Sequence, residues 1–316
     1  MLYDLNIAWS PSTPAADLDR TLRFAKNLGY DVVALNHALT GAIPNAPSPI
    51  ANPIPHLNPP ASPSPSLPTL LRRVTITITD PATTNYRLLD FARAYNLLAL
   101  RPTSEKAFAW ACSGTTEPPA LISLDLTSFL GFHIHHRTAM AAVHRGTRFE
   151  VCYGQAVAAG VDARQRANFI GNVLSLLRAT KGRGIVVSSE ARGALTLRAP
   201  ADVVNLMAVW GLGPERGTEA LGAGARAVVV NEGIKRRGFR GVVDIVRTAE
   251  EDEGAAEARR EEAERGREGK AEGKKKQGQG QGQKRKNEGG GGAEGAAMSK
   301  RQAKKMKKDG VVAAGK

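Results

Sequence analysis

Residues 164–188 read RQRANFIGNVLSLLRATKGRGIVVS, a helical pattern that passes through a short glycine-containing turn into a β-branched run. One face of the predicted helix Arg164–Arg178 carries apolar residues at three- and four-residue spacing: Ile170, Val173, Leu174 and Leu177. The following strand, Ile185–Ser188, begins with three consecutive β-branched residues, as expected for a parallel strand that is covered on both faces. This segment therefore predicts half of a repeating β/α unit.

The same alternation runs through most of the chain up to residue 247. Seven further apolar runs predict strands at Leu2–Ile7, Val32–Leu35, Val74–Thr79, Leu97–Arg101, Leu121–Leu126, Phe149–Cys152 and Ala227–Val230. Helical patterns lie at Ala15–Leu28, Thr84–Ala94, Ser104–Ala111, Asp202–Trp210 and Glu215–Leu221. Eight strands that alternate with helices predict an α/β domain of the TIM-barrel-like (β/α)8 type. An open doubly wound sheet is the alternative, but no G-x-G-x-x-G follows the first strand.

Composition divides the 316 residues into two parts. Residues 1–247 hold the barrel pattern, interrupted at 42–68 by a segment with ten of the 18 prolines, which predicts an extended loop insertion. Residues 248–316 contain no Leu, Ile or aromatic residue, so this tail is predicted to be disordered. Its charge is acidic at 250–272, with a net charge of −5, and basic at 273–316, with a net charge of +10.

The formal net charge of +14 favours a partner that carries phosphate. Clusters in the basic half of the tail are typical of nuclear localisation or nucleic-acid contact: Lys274, Lys275, Lys276, Lys284, Arg285, Lys286, Lys304 and Lys305. A solvated, solubilising tail is the alternative. No run is long enough to span a membrane and no secretory signal is visible. Two cysteines, Cys112 and Cys152, suit a reducing compartment and core positions.

Basic residues within the barrel domain predict contact with RNA. Lys181 and Arg183 stand in the glycine-containing turn before the seventh predicted strand, where a simple helix cap is the alternative. A second cluster follows the eighth predicted strand as a loop: Lys235, Arg236, Arg237, Phe239 and Arg240. Phe239 offers a ring for base stacking. In a barrel, the two clusters are expected to lie at opposite ends.

A histidine-containing segment and the predicted strand ends are the candidate metal sites. His133 and His135 have a plausible two-ligand spacing, but nearby Arg137 and Arg148 favour phosphate over a divalent cation. We interpret this segment as a structural or RNA-facing cluster. The predicted strand ends offer too few ligands for a catalytic metal: Asp4, His37, Asp80 and Asp125. No catalytic residue, metal or cofactor is predicted.

A collinear set of short motifs resembles the thirty-kilodalton protein subunit family of ribonuclease P and ribonuclease MRP. The motifs are Tyr3–Ile7, Ala34–His37, Arg73–Ile76, Ala139–Gly146 with Phe149–Glu150, Lys181–Arg183 with Val187–Ser189, and Arg198–Leu206 with Trp210–Leu212. The resemblance covers residues 1 to about 246, without the proline insertion. It implies a barrel related to metal phosphoesterases of the polymerase-and-histidinol-phosphatase type. Those enzymes begin their metal site with H-x-H on the first strand, where this chain has Asp4-Leu5-Asn6.

The resemblance also implies a function. Proteins of this family are noncatalytic, because RNA performs the cleavage that removes the 5′ leader of precursor tRNA, and the MRP particle processes ribosomal RNA. The implied partners are the catalytic RNA, a small RRM-like protein subunit and other proteins of the particle, in the nucleus and within it the nucleolus. Two alternatives remain: a metal-dependent phosphoesterase that retains the barrel's chemistry, and a nucleolar RNA-binding assembly factor held mainly by its tail.

Overall fold

Seven parallel strands form one sheet in which each strand pairs with the next along the chain. They are β1 (Leu2–Trp9), β2 (Tyr30–Leu39), β3 (Thr69–Ile78), β4 (Leu97–Pro102), β5 (Leu121–Ser123), β6 (Arg148–Cys152) and β7 (Ile185–Ser188). A computed structural model describes residues 1–41, 43–44, 47, 67–82 and 86–237 of the chain. Within them, the seven predicted strands up to residue 188 are confirmed.

The sheet curls until its two edges meet. Beyond the end of β7, Ala191 forms a parallel bridge with Ile7, and the amide of Ala8 donates a hydrogen bond to the Ala191 carbonyl (2.9 Å). This contact leaves a nearly closed barrel. The predicted TIM-barrel-like fold is therefore confirmed, with seven strands in place of eight.

Helices follow most of the strands. They are α1 (Ala15–Asn27), α2 (Leu88–Ala94), α3 (Glu105–Ala109), α4 (His136–His144), α5 (Gly154–Val157), α6 (Ala163–Thr180), α7 (Pro200–Val209), α8 (Pro214–Leu221) and α9 (Ala223–Arg237). A π-helical turn, Trp110–Gly114, continues α3, and α2 begins later than predicted because Arg87 has a left-handed φ of 43°. Between β2 and β3, the described residues contain no helix.

Residues at the two ends of α6, the longest helix in the described part of the chain, explain where it begins and ends. Asp162 and Gln165 form a reciprocal capping box at its start, and the chain leaves the helix at Lys181 with a left-handed φ of 54°. Its buried stripe is Phe169, Val173, Leu176 and Leu177. The stripe is thus rotated from the predicted one, and Ile170 is 38% exposed because Phe169 occupies the core position.

The predicted eighth strand, Ala227–Val230, was wrong, because these residues belong to α9. Ala225 and Val228 are buried three residues apart, as a helix requires, whereas Val230 is 45% exposed. Val228 lines a cavity with Ala120 and Gly146, which lie at the beginnings of β5 and β6. Helix α9 therefore covers the end of the barrel at which the strands begin, called here the amino-terminal end.

The barrel interior has two layers. Inward-facing apolar residues of the strands form one cluster with Ala225 and Val228 of α9. This apolar layer lies towards the amino-terminal end, where the helix closes it. Farther along the same strands, polar side chains take the inward positions: Asn6, Asn36, Arg101, Ser123 and Ser188. A second and larger cluster joins the outer faces of the strands to the surrounding helices.

Several predictions fall outside the described residues. They concern Phe239, Arg240, the tail 248–316 and the proline insertion 42–68, of which only Ile43, Pro44, Pro47, Leu67 and Pro68 are described. In the described part of the chain, no helix is long and apolar enough to cross a membrane.

The helical assignment of residues 227–230 can be tested with a pair of valines. A strand would place Val228 and Val230 on the same face, whereas α9 buries the first and exposes the second. We expect Val228→Asp to lower the free energy of unfolding by about 3 kcal/mol or more, because it buries a charge. The control Val230→Asp should change it by less than about 1 kcal/mol. Urea denaturation measures both, and equal losses would contradict the helix.

Candidate nucleic-acid interface

The polar layer of the barrel is built around a buried ion pair between Arg73 of β3 and Glu150 of β6. Both side chains have no exposed surface. The two guanidinium Nη atoms donate to the two carboxylate oxygens at 2.5 and 2.6 Å, a bidentate arrangement. Nη1 of Arg73 also donates to the Leu5 carbonyl (2.7 Å), and Nε donates to the Thr75 hydroxyl (3.2 Å). The pair thus ties β3 and β6 to β1 across the barrel.

Two asparagines and a threonine extend this ion pair into a network. Asn6 donates to Glu150 Oε2 (3.4 Å), Asn36 donates to Asn6 Oδ1 (2.8 Å), and Thr75 donates to Asn36 Oδ1 (2.7 Å). The hydrogen bonds therefore run from β6 through β1 and β2 back to β3, where Arg73 stands. These residues are buried, so none of them is available to a ligand from solvent.

The surroundings of Glu150 and Asp4 shift the pKa values of these two buried carboxyl groups. Burial alone would raise the pKa of Glu150, but the charge and hydrogen bonds of Arg73 lower it to about 2. The stabilisation from the ionised pair is therefore complete above the ordinary pKa and is lost only as the pH falls towards 2. Burial raises the pKa of Asp4 to about 6, against the lowering effect of hydrogen bonds from Ser189 and Asn6. Ionising Asp4 therefore weakens the fold as the pH rises through that value.

A divalent metal ion of the kind that barrel phosphoesterases bind does not fit this interior. At the H-x-H position, Asp4 Oδ1 accepts hydrogen bonds from the amides of Ser189 (3.0 Å) and Asn6 (3.2 Å), and the Asn6 side chain belongs to the network. Arg73 donates to the carbonyl of the intervening Leu5, so the positive charge of its guanidinium opposes the binding of a cation beside it. The described residues contain no group of three or more His, Cys, Asp or Glu that could hold a metal.

The end of the barrel at which the strands finish, the carboxyl end, is closed above this network by a second ion pair. Arg101 contacts Glu190 at 2.8 Å, with 21% and 24% of the two side chains exposed. Gln155 donates to the other oxygen of Glu190 (2.7 Å), and Arg101 also donates to the Ser123 hydroxyl (3.2 Å). The end at which barrel enzymes place their chemistry is thus occupied by paired side chains.

Five cations that form no ion pair with another described residue lie together at the amino-terminal end. Arg148, Arg183 and Arg216 line a cavity of about 330 Å³ beside the start of α9. Arg178, Lys181 and Arg216 line a neighbouring cavity of about 510 Å³. The turn 181–184 separates α6 from β7 and contributes to both cavities. These five cations are called here the basic groove.

The structure places the predicted RNA-binding residues unevenly. Lys181, Arg183 and Arg148 lie together in the basic groove. Arg137 is exposed and lies outside these cavities. Its neighbour His136 contacts the end of α6, where Nδ1 donates to the Ala179 carbonyl (2.6 Å). Sequence reasoning missed Arg178 and Arg216. Arg178 precedes Lys181 by three residues, a spacing that could have signalled it, whereas nothing around Arg216 marks its position.

The prediction that the second basic cluster forms a loop was wrong. Lys235, Arg236 and Arg237 lie in the last turn of α9, because the helix replaces the eighth strand. Lys235 pairs with Glu232 (2.7 Å), and Arg236 donates to the Tyr95 carbonyl (2.9 Å), which lies just before β4. This helix end therefore also lies at the amino-terminal end, and the expected separation of the two clusters to opposite ends was wrong.

His133 and His135 are exposed. The His133 and His135 rings meet edge to face with centroids 4.9 Å apart. They do not belong to any metal-binding group of three ligands within the described residues. A structural or RNA-facing role for the pair stays a prediction.

Comparison with known proteins gives concordant matches. The family described as RNase P subunit p30 matches residues 1–237. The probable ribonuclease P protein subunit 3 of Schizosaccharomyces pombe is 32% identical over 247 residues, which cover 77% of this chain and 99% of that protein. The ribonuclease P/MRP protein subunit RPP1 of Saccharomyces cerevisiae is 29% identical over 254 residues, covering 75% and 82%.

A solved structure supports the fold. A chain in a cryo-EM structure of archaeal ribonuclease P with mature tRNA superimposes with a TM-score of 0.59 at 12% identity. The match covers 78% of this chain and 99% of that one. At this identity the likeness extends to the barrel architecture alone.

The Arg73–Glu150 pair can be tested by a double-mutant cycle. We expect Arg73→Met to lower the free energy of unfolding by about 3–5 kcal/mol, because it leaves the Glu150 carboxylate buried without its partner. The double variant Arg73→Met/Glu150→Leu should recover a large part of that loss, since the unpaired charge is gone. Urea denaturation at neutral pH provides the values, and strictly additive losses would contradict a coupled pair.

Proposed function

The chain belongs to the RNase P subunit p30 family, and we propose that it is a noncatalytic subunit of ribonuclease P and ribonuclease MRP that binds the RNA of the particle. In that role, it supports removal of the 5′ leader from precursor tRNA and processing of ribosomal RNA. The RNA performs the cleavage, and the protein supplies cations and a rigid frame.

One observation carries the noncatalytic part of this proposal. The Arg73–Glu150 pair fills the barrel at the level where a hydrolase would need open metal ligands, and Asn6, Asn36 and Thr75 are hydrogen-bonded to it or to one another. A phosphoesterase would have to disassemble this network before it could bind a metal or a substrate phosphate there. No observation favours that alternative.

The RNA-binding part rests on charge. The predicted contacts Lys181, Arg183 and Arg148 are grouped at the amino-terminal end, whereas the centre of the carboxyl end is occupied by the Arg101–Glu190 ion pair. Arg137 and the α9 residues Lys235, Arg236 and Arg237 are further contacts in this proposal, as are Phe239 and Arg240 beyond the helix. Each phosphate contact adds affinity without reading base sequence, as a subunit that supports a folded RNA requires.

The partners and the location belong to the same proposal. A small RRM-like subunit of the particle is the protein partner that we expect, together with other RNase P/MRP proteins. The relatives are eukaryotic RNase P and MRP subunits, which implies a nuclear protein, and we place it within the nucleolus. We assign nuclear localisation to residues 248–316 through the clusters Lys274–Lys276, Lys284–Lys286 and Lys304–Lys305.

Affinity purification with RNA sequencing tests the proposal. When added to a cell lysate, full-length protein and a variant that ends at residue 247 should enrich the ribonuclease P and MRP RNAs equally, because the family match ends at residue 237. Only the full-length protein should concentrate in the nucleus. If the shortened protein loses these RNAs in the lysate, the chain is an assembly factor held by its tail.

The same preparations serve to test catalysis. Highly purified protein without RNA should not cleave precursor tRNA at any divalent metal concentration. Metal-dependent cleavage that is retained through purification and abolished by Asp125→Ala or His133→Ala would establish the phosphoesterase alternative instead.

A further inference from the structure

The five cations of the basic groove come from four separate parts of the fold. Arg148 belongs to β6, Arg178 to α6 and Arg216 to α8, while Lys181 and Arg183 stand in the turn before β7. Glu215 and Glu219 line the cavities as well, yet among the described residues no cation of the groove has a carboxylate oxygen within 4.0 Å. The groove therefore holds an excess of uncompensated positive charge.

Glycines in the turn allow these cations to approach one another. Gly182 and Gly184 have φ values of +66° and +67°, in the left-handed region that favours glycine. A methyl group at Gly182 would lie 3.2 Å from Cδ of Arg216, and one at Gly184 would lie 3.3 Å from Nη1 of Arg148. The arginine side chains of α8 and β6 thus lie directly against the turn that carries Lys181 and Arg183.

Such a cluster is unfavourable in the protein alone. A guanidinium does not lose its proton in proteins, so neighbouring arginines repel one another at every relevant pH. An anion bound among them removes this cost. Four of the five cations are arginines, whose planar fork matches two oxygens of a phosphate.

We propose that the basic groove, centred on Arg216, binds the phosphodiester backbone of the particle's RNA. Arg216 lines both cavities and so joins the two halves of the groove into one surface. This inference rests on the proposed function and names the site through which the protein meets RNA. Two of the five residues, Arg178 and Arg216, are new to that site.

The walls of the groove define how the RNA is recognised. The larger cavity has an apolar side that includes Leu174 and Pro214, against which a ribose can pack. The residues that line the two cavities include no aromatic side chain, so base stacking does not contribute there. Binding in the groove is therefore tolerant of base sequence and sensitive to salt.

A salt series with full-length protein and ribonuclease P RNA tests the groove. The variant Arg148→Gln/Arg183→Gln/Arg216→Gln removes three charges from the groove. Its matched control, Arg20→Gln/Lys106→Gln/Arg164→Gln, removes three exposed charges from α1, α3 and α6. With roughly 0.7 counterions released per contact on irregular RNA, we expect the groove variant to flatten the log–log salt slope by about two units. The control should keep the slope of the unaltered protein.

The outcomes separate the groove from the wider proposal. Equal thermal midpoints for the three proteins ensure that folding is not the cause of any difference. If the groove variant binds this RNA with unaltered affinity and slope, the groove proposal is overturned, while RNA enrichment by the unaltered protein still supports the proposed function. If the variant keeps RNA binding but loses binding of a polyglutamate peptide, the groove is a site for acidic protein, and the proposal fails likewise.

Discussion

The buried ion pair of Arg73 and Glu150 constrains which residues can surround it inside the barrel. Two opposite charges without solvent exposure have to satisfy each other and their remaining hydrogen-bonding atoms, and they do so through Leu5, Thr75 and Asn6. That requirement recruits residues from four strands to one network. A barrel interior that is committed in this way supports the proposal that the protein is noncatalytic.

The two ends of the barrel consequently have different characters. At the carboxyl end, Arg101 and Glu190 neutralise each other above the network. At the amino-terminal end, α9 seals the apolar layer with Ala225 and Val228, and the uncompensated cations collect beside it. The centre of the usual working end is occupied by this ion pair, whereas cations without a carboxylate partner among the described residues lie at the opposite end, where we propose that RNA binds.

Much of this architecture could be predicted from the sequence because it depends on local patterns. Seven strands and six of the helices up to residue 221 follow from apolar periodicity, whereas α4 and α5 were not predicted. The two residues of the α6 capping box are only three positions apart in the chain. The prediction of an eighth strand failed because Val228–Val230 is a β-branched run whose conformation depends on the closure of the barrel between Ile7 and Ala191. Once seven strands close the sheet, the run can bury Val228 only as a helix across the end.

The site was predictable only in part, for a similar reason. Lys181 and Arg183 are marked by their glycines, whereas Arg216 joins them from α8 through a contact that no local pattern encodes. The Arg73–Glu150 pair joins residues 77 positions apart. Both residues stood in motifs of the family resemblance, but their contact with each other required the register of the closed sheet.

Site-directed crosslinking tests most directly which end of the barrel faces RNA. Cys112 and Cys152 are buried, so a photoreactive group can be attached selectively to a cysteine introduced on the surface. Thr218→Cys on α8 places it beside the basic groove, and Thr103→Cys places it just after β4 at the carboxyl end. In assembled particles, the account predicts crosslinks to the RNA from position 218 and none from position 103. Crosslinks from position 103 alone would contradict it.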